Sequence, residues 1–585
     1  MRNTEVFLSF CNMLKKLYEI CIRFVSKYGR IFTLLFLLLA TSPYIWIQIN
    51  YFTPAYQEVD PDGYLILAKR MAKFKPLAIK DNDPFMYQSH VWVENSRGEI
   101  APKFAPGYPA LMSIAYNIGG DRAMFIVSPI MGFLGLIGCY FLFRLWMSRI
   151  AATAGVLLIA ANTMFLVYSG YLLTHASNTC FVVWGMSFIW RWLRDNNTMS
   201  GLFGGLILGA SMTIRHTSVL MVSVLIAAIL IKLWRHYNNG KPYNEILKPV
   251  LVLFGAYCVF PFILMVYNYA VFESPFVTGY GLSQEQGAFK LASISKNARM
   301  LASGLNTEGL FLLFPLGIAG ILLSGSMGDS IMQILWVLPV YLLYTSYYWA
   351  FGNMAYYRFL IVTFPCFIGA ACALLDTVKN SNIRKIFTFI IIVSMIFFVQ
   401  KDFMKGRLKG TLADLPSQSL AYSAEIMADQ LEDDAVIFSQ RPVFCYIGTV
   451  ENFRFYDLNI FTSAYGNSAF KEGVQPKRQP VRNKRFREFY SKLTDENLQE
   501  KKQDLIDKFL ENGRQVIYFI PESVAVAEKK QIWNNYRWIL LNEIEVYTSN
   551  DKNSKALWKL YEIVIAKKSI SLNFHSCKSR NDSVK

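Results

Sequence analysis

A polytopic α-helical membrane protein with a small soluble α/β domain at its C-terminal end is the fold class this sequence predicts. Three observations predict it. The chain of 585 residues is 54% hydrophobic and only 17% charged, too apolar for an ordinary soluble protein. Its apolar residues arrive in blocks, and stretches of roughly 20, enough to cross a hydrocarbon core, recur from Ile31 to Gln400. From about Lys401 the charge density rises and no further run of span length follows, so residues 401–585 read as a water-soluble domain of conventional size.

The N-terminal segment, residues 1–30, is basic and amphipathic. It shows no cleavable signal pattern, and the apolar run behind it has span length, so that run reads as an anchor with a cytoplasmic N-terminus. The spans then fall near 31–50, 122–143, 151–168, 171–190, 201–214, 217–233, 249–272, 305–323, 330–348, 359–376 and 384–400, about eleven in all. This division places "RLWMSR", "RWLRDNN", "KLWRHYNNGK" and "KNSNIRK" on the cytoplasmic side, as the positive-inside rule asks. The two helices between 201 and 233 are required by parity, with Arg215-His216 at the turn between them. An odd span count puts the C-terminal domain outside, on a protein expected in a bacterial inner (plasma) membrane. Residues 31–400 thus form the membrane domain. Two of its outer loops are long, 51–121 and 273–304. In the first, "PDGYLILAKRMAKF" sets Tyr64, Leu65, Leu67, Ala68 and Met71 against Lys69, Arg70 and Lys73, the pattern of a helix lying in the interface plane. In the soluble tail, "SLAYSAEIMADQLEDD" reads as a helix and "AVIFSQ", "RQVIYFI" and "KLYEIVI" as strands.

The formal charge of +18 does not point to nucleic acid, because much of the Lys and Arg flanks apolar runs; anionic lipid is the simpler partner. The basic tract 477–487 reads as a solvated surface or a contact for anionic headgroups or glycan. None of the nine cysteines has CxxC or metal-type spacing. Cys139, Cys180, Cys258, Cys366 and Cys372 lie in apolar runs as buried thiols; only Cys445 and Cys577 fall in the soluble domain, where they could form a disulfide should that domain be extracytoplasmic. The glycine series Gly132, Gly135, Gly138 and the pair Gly205, Gly209 read as close helix contacts; neither follows a strand, so no phosphate loop is implied.

Chemistry has to come from the outer edges. "EVDPDGY" concentrates Glu58, Asp60 and Asp62 at the exit of the first span. Taken locally, Asp60 before Pro61 is a helix N-cap in extended backbone, and Asp62 favours the positive helix end. Glu58 and Asp60, two apart in an extended segment, share a face and can converge on one hydroxyl or one divalent cation. Arg215 and Arg358 stand beside apolar runs, costly places for a charge unless it pairs or faces a polar cavity. His175 and His216, two of five histidines, sit near outer span ends, where they could bind a metal or a sugar or simply pack.

After the first-loop helix come "GEIAPKFAPGYPALMSIAY", "YNYAVFESPFVTGYG" and "YYRFLIVTFPCF". The order and spacing of Asp60 with Tyr64, of Pro106 to Pro109, of Asn268 to Tyr280 and of Tyr357 to Phe359 resemble the GT-C superfamily of membrane glycosyltransferases, which includes protein O-mannosyltransferases and the lipid A aminoarabinose transferase. The resemblance covers roughly residues 31–400; where that family shows two adjacent prolines, this chain has Ala105-Pro106. It implies an enzyme that moves a sugar from a polyprenyl-phosphate carrier to a glycan, lipid or protein acceptor on the outer face, most simply with inversion. Asp60, with Glu58, is then the carboxylate base for the acceptor hydroxyl. Arg358 and Arg215 meet the lipid phosphate, since a guanidinium donates two parallel hydrogen bonds to it, with Lys290, Lys296 and Arg299 as weaker candidates. Asp62, Tyr64, His175, Tyr108, Tyr280 and Tyr357 are the substrate-binding set, and Trp92 and Tyr356 are further aromatics that could stack on sugar. No cofactor is certain, and a divalent metal at Glu58 and Asp60 stays open, because Glu58, Asp60, His90 and His175 lack a recognisable ligand spacing. The rival from another class is a transporter or glycolipid flippase, but internal repeats and charged midplane helices, which would mark one, are not found.

Overall fold

The computed structural model describes residues 29–52, 54, 60–80, 82–86, 91–240, 242–283, 285–347 and 354–378, and in the C-terminal part chiefly 419–420, 422–423, 430–432, 434–439, 454–458, 492–532, 536–547 and 554–565, with isolated positions between. The chain divides into two units. The first is Met1–Asn82, Gln88–Gln418 and Gln475–Val481; the second is Asp83–Tyr87, Ser419–Val474 and Arg482–Lys585.

The first unit is helical. A helix stands at the place of each span expected between 31 and 376, and the span expected at 384–400 lies outside the described residues, apart from isolated helical positions. Among the described residues six helices are long and apolar enough to cross a membrane, or up to eight if each of two bent pairs is one span. The bent pairs are Arg149–Ala160 with Thr163–Gly170, at 59°, and Leu291–Gly309 with Leu313–Leu323, at 109°. Two expected spans miss that test for physical reasons. Thr198–Ile214 is short, and Thr174–Asp195 begins with the polar run Thr174, His175, Ser177, Asn178 and Thr179, all buried. A helix can afford such a face only against other protein.

Backbone breaks set the local geometry. The 40-residue helix Gly107–Trp146 is interrupted at Gly119 and at Gly120, whose φ of 67° suits a residue without a Cβ. The expected span is its second part, and the proline-rich entry is already helical. The turn expected at Arg215-His216 is present: Thr198–Ile214 ends, Arg215 runs extended, and a 3₁₀ turn His216–Met221 leads into Val222–Asn238. Close packing explains the paired glycines. A Cβ on Gly205 or Gly209 would stand 2.3 Å from the carbonyl oxygen of Leu253 or Tyr257 in the neighbouring helix Tyr243–Phe272.

The first-loop helix departs from expectation. The polar face of Pro61–Ala72 is not wet along its first turns: every residue from Pro61 to Lys69 is buried. Of its basic stripe, Lys69 is buried and pairs with Asp121 at 2.5 Å, while Arg70 and Lys73 are half-buried. The same loop then forms an antiparallel hairpin, β1 (Trp92–Glu94) with β2 (Ile100–Pro102). Asn95 Nδ2 donates to the Val271 carbonyl at 2.9 Å and Arg97 pairs with Glu273 at 3.0 Å, which ties the hairpin to the C-terminal end of Tyr243–Phe272.

The second unit is a five-stranded mixed sheet in the order β4-β3-β5-β7-β6. Strands β3 (Val436–Ser439), β5 (Val516–Pro521) and β7 (Lys555–Ile565) fall on the three expected strands, while β4 (Arg454–Asp457) and β6 (Tyr536–Tyr547) were not anticipated. β3 is parallel to β4 and β5, and β7 is antiparallel to β5 and β6. Helices Asp495–Glu511 and Glu522–Ile532 accompany the sheet, and Phe438, Tyr456, Phe509 and Tyr518 lie in its core. Asp83–Tyr87, from the first long loop, belongs to this unit. Phe85 is buried there, 5.0 Å from Phe461 and 5.5 Å from Phe489 by ring centroids, and the Tyr456 hydroxyl donates to the Asp83 carboxylate. Nothing in the sequence pattern marks so short a segment as part of a domain more than three hundred residues away. Cys445, Cys577, the tract 477–487 and most of the helix expected at 419–434 lie outside the described residues.

Candidate active site

Asp60 precedes the first turn of Pro61–Ala72 with helical dihedrals, φ −59° and ψ −36°, and its side chain caps nothing. The local reading of Asp60 as an extended N-cap is therefore corrected. Its carboxylate is instead 3.8 Å from the guanidinium of Arg358. The Asp60 side chain is 29% exposed and that of Arg358 only 6%, so the acid reaches solvent while the cation does not. Glu58 lies outside the described residues, as does His90, and with Glu58 goes the carboxylate pair.

Arg358 opens a 3₁₀ turn, Arg358–Thr363, ahead of the helix Phe364–Thr377. Its guanidinium carbon lies 5.2 Å from the Phe359 ring centroid and 5.9 Å from that of Tyr168. Arg215 meets the same Phe359 ring, also at 5.2 Å, and donates to Thr174 Oγ1 and to the Tyr344 hydroxyl, both at 3.1 Å. Tyr344 stacks on Phe359 at 4.8 Å. Two arginines are brought to one aromatic ring, where cation–π attraction helps to hold them. A desolvated pair of planar forks is suited to a phosphate. Beside them a pocket has His175, Asn178, Arg215 and Ser218 on its polar wall and Met221, Val340 and Val362 on its apolar wall. His175 sets its ring edge-on to Tyr168 and Phe359, at 5.7 and 5.8 Å.

On the other side of Arg215 stands an aromatic group. Tyr64 stacks on Phe104 at 4.1 Å and meets the edge of Tyr108 at 5.2 Å; Gly63 lets Phe104 come so near, since a Cβ there would be 2.7 Å from its ring. Tyr280 packs on Phe104 and on His216 and lies under the ammonium of Lys103, which pairs with Glu285. Burial first, then the Asp60 charge, raises the Tyr64 phenol above its ordinary range; burial, then Tyr64 and Glu285, does the same for Tyr280. Both phenols stay protonated hydrogen-bond donors.

The structure thus gathers Asp60, Tyr64, His175, Arg215, Tyr280 and Arg358. Others of the expected set pack elsewhere. Tyr108 is fully buried behind Tyr64, its hydroxyl 2.7 Å from Ser128 Oγ. Tyr357 is pressed on Gly304, where a Cβ would come 1.9 Å from its ring. Asp62 is fully buried inside the helix packing. Trp92 and Tyr356 are buried, and Lys290, Lys296 and Arg299 are exposed. Asn268 makes a local contact, its amide donating to the Pro275 carbonyl at 3.3 Å. Sequence reasoning missed Tyr344, Thr174, Phe359 and Lys103. Phe359 adjoins Arg358 in a motif already quoted and Thr174 adjoins His175, whereas Tyr344 is indistinguishable from belt aromatics before folding. Among the described residues no three His, Cys, Asp or Glu side chains gather as a metal site.

This arrangement of helices has counterparts. The family model of dolichyl-phosphate-mannose-protein mannosyltransferases matches residues 103–263. ArnT from Cupriavidus metallidurans bound to undecaprenyl phosphate is similar in structure over 91% of this chain and 98% of its own, at 12% identity and a TM-score of 0.52. Its apo form gives 12% identity, the same coverage and a TM-score of 0.50. The archaeal oligosaccharyltransferase AglB from Archaeoglobus fulgidus, in complex with an inhibitory peptide and a dolichol-phosphate, matches 86% of this chain and 71% of its own at 14% identity and a TM-score of 0.46. No curated protein matches the sequence significantly. The fold is that of the GT-C membrane glycosyltransferases. Together with the family-model match over residues 103–263, it makes this multi-pass membrane protein similar to the GT-C enzymes.

Proposed function

We propose that the protein transfers a sugar from a polyprenyl-phosphate carrier to an acceptor hydroxyl at the outer membrane face. The observation that carries this reading is the Asp60–Arg358 pair at 3.8 Å, with Arg215 on the same Phe359 ring. The ArnT structure with undecaprenyl phosphate supports the donor class through the shared fold. In the reaction Arg215 and Arg358 hold the donor phosphate, and Asp60, released from Arg358 as the phosphate takes its place, faces the acceptor. The acceptor oxygen attacks the anomeric carbon, its proton goes to the Asp60 carboxylate, and the bond from that carbon to the phosphate oxygen breaks. The polyprenyl phosphate leaves with its charge met by the two guanidinium groups. A single displacement inverts the anomeric centre.

The charge pattern of the loops supports the outer face. Asp83–Tyr87, a piece of the first outer loop that belongs to the sheet domain, supports putting that domain on the same side. The test is to reconstitute the purified chain in nanodiscs with a panel of decaprenyl-phosphate-linked sugars and follow release of decaprenyl phosphate by mass spectrometry. Release in the wild type that is lost in Asp60→Asn is expected. A wild type that neither binds decaprenyl phosphate nor releases it from any donor refutes the reading.

A further inference from the structure

We infer that His216 contacts the sugar of the lipid-linked donor, as a binding and specificity residue; this rests on the donor reading above. The backbone supplies the first reason. Arg215 is extended, at φ −150° and ψ 118°, and successive side chains of extended backbone point to opposite sides. Arg215 accordingly turns to Thr174, Tyr344 and Phe359, while His216 turns to Tyr280, its ring edge-on at 5.6 Å. Tyr280 in turn lies within electrostatic reach of Tyr64, Arg215 and Asp60. The imidazole therefore stands between the cations that suit the phosphate and the aromatic group next to the base. A sugar one bond from that phosphate must occupy this interval if Asp60 is to receive the acceptor proton.

The second reason is an unanswered polar group. Nδ1 and Nε2 of His216 are both buried, and among the described residues neither has a hydrogen-bond partner. Native interiors rarely leave such atoms unpaired, and each instance asks for a partner. The available chemistries are not equivalent. A phosphate only accepts hydrogen bonds, so it can satisfy only the donor nitrogen of a neutral ring. A cation is repelled by Arg215 next door. A pair of neighbouring sugar hydroxyls, each able to donate and to accept, answers both the N–H and the bare nitrogen of one imidazole. Tyr280, on the second long loop, covers the ring edge, so that loop is the element that must give way when the sugar enters.

The experiment measures binding of two kinds of probe to the full-length chain in nanodiscs: decaprenyl phosphate without sugar, and decaprenyl phosphate carrying mannose, glucose, galactose, arabinose or 4-amino-4-deoxyarabinose. His216→Ala is expected to weaken the sugar-bearing lipid that the wild type prefers by about 5- to 30-fold, the loss of one or two hydrogen bonds, and to leave bare decaprenyl phosphate unchanged. His216→Asn, which keeps a donor and an acceptor, recovers part of that loss and controls for folding, with melting temperature read alongside. Equal weakening of both probes, or of neither, overturns the inference, as does a wild type that binds bare lipid phosphate but prefers no sugar-bearing form. A wild type that binds no lipid phosphate at all overturns the donor reading itself.

Discussion

Replacing Asp60 by Asn keeps the size of the side chain and removes its charge, and the structure separates the consequences. The pair with Arg358 is 3.8 Å long and the Asp60 side chain is 29% exposed, so solvent screens it and its net worth is about 0.2–1 kcal/mol. Stability should hardly move; a melting shift beyond about 3 °C is not expected in a chain of this size. The same small term competes with the donor, because Asp60 occupies the guanidinium the phosphate needs. Freed of that competitor, Asp60→Asn should bind bare decaprenyl phosphate about 1.5- to 5-fold more tightly. Transfer should fall by about 10²- to 10⁴-fold, the usual contribution of a positioned base. Binding is measured by lipid competition in nanodiscs and transfer by single-turnover release of decaprenyl phosphate. Tighter binding with lost turnover is the signature of a base resting on a phosphate-binding arginine. Turnover within tenfold of wild type would falsify the assignment, and weaker lipid binding would remove the competition between Asp60 and phosphate.

Other outcomes follow from the same geometry. Arg215→Lys keeps the charge but loses the fork that reaches both Thr174 and Tyr344, so affinity for bare decaprenyl phosphate should drop about tenfold; an unchanged affinity would take Arg215 out of the phosphate site. Gly209→Ala puts a Cβ 2.3 Å from the Tyr257 carbonyl oxygen and should cost about 1–3 kcal/mol in denaturant midpoints of the detergent-solubilised chain. Phe85→Ala should destabilise the sheet domain by about 3–5 kcal/mol, seen as faster pulse proteolysis confined to that domain; a protection pattern like wild type would mean the first-loop segment contributes nothing to its core. Lys502 and Glu528 form a buried pair at 2.8 Å in that domain. Lys502→Met alone strands the acid and should cost about 3–5 kcal/mol, while Lys502→Met with Glu528→Leu should be near neutral. Burial holds the Lys502 ammonium below the ordinary lysine range, against the opposing pull of Glu528. In the alkaline window between its folded value and the ordinary one, the unfolded chain binds more protons. The domain should therefore gain stability as pH rises through that window, and the double variant should lose the slope.

The positions of the helices were legible because a bilayer imposes one solution on an apolar run of span length, and the turn at Arg215-His216 was legible because charge there breaks such a run. Strands β3, β5 and β7 showed as buried β-branched and aromatic runs, while the four-residue β4 and the polar-interrupted β6 did not. The amphipathic pattern of the first-loop helix was real but did not show that Lys69 would be buried. Periodicity reports that a stripe is basic without saying whether water or Asp121 will face it.

The candidate site divides the same way. Sequence alone indicated a multi-pass chain, the charges Asp60, Arg215 and Arg358 beside apolar runs, and a motif order resembling that of the GT-C enzymes, because these depend on local composition and on the energetics of charge beside hydrocarbon. Only the tertiary structure decided that Asp60 meets Arg358 instead of capping its helix, that both arginines share Phe359, and that Tyr344 and Thr174 hold Arg215. Those partners are separated by tens to hundreds of residues. Their pairing is settled by which helices pack together, through close contacts such as those of Gly205 and Gly209, and not by anything a window of neighbouring residues can contain.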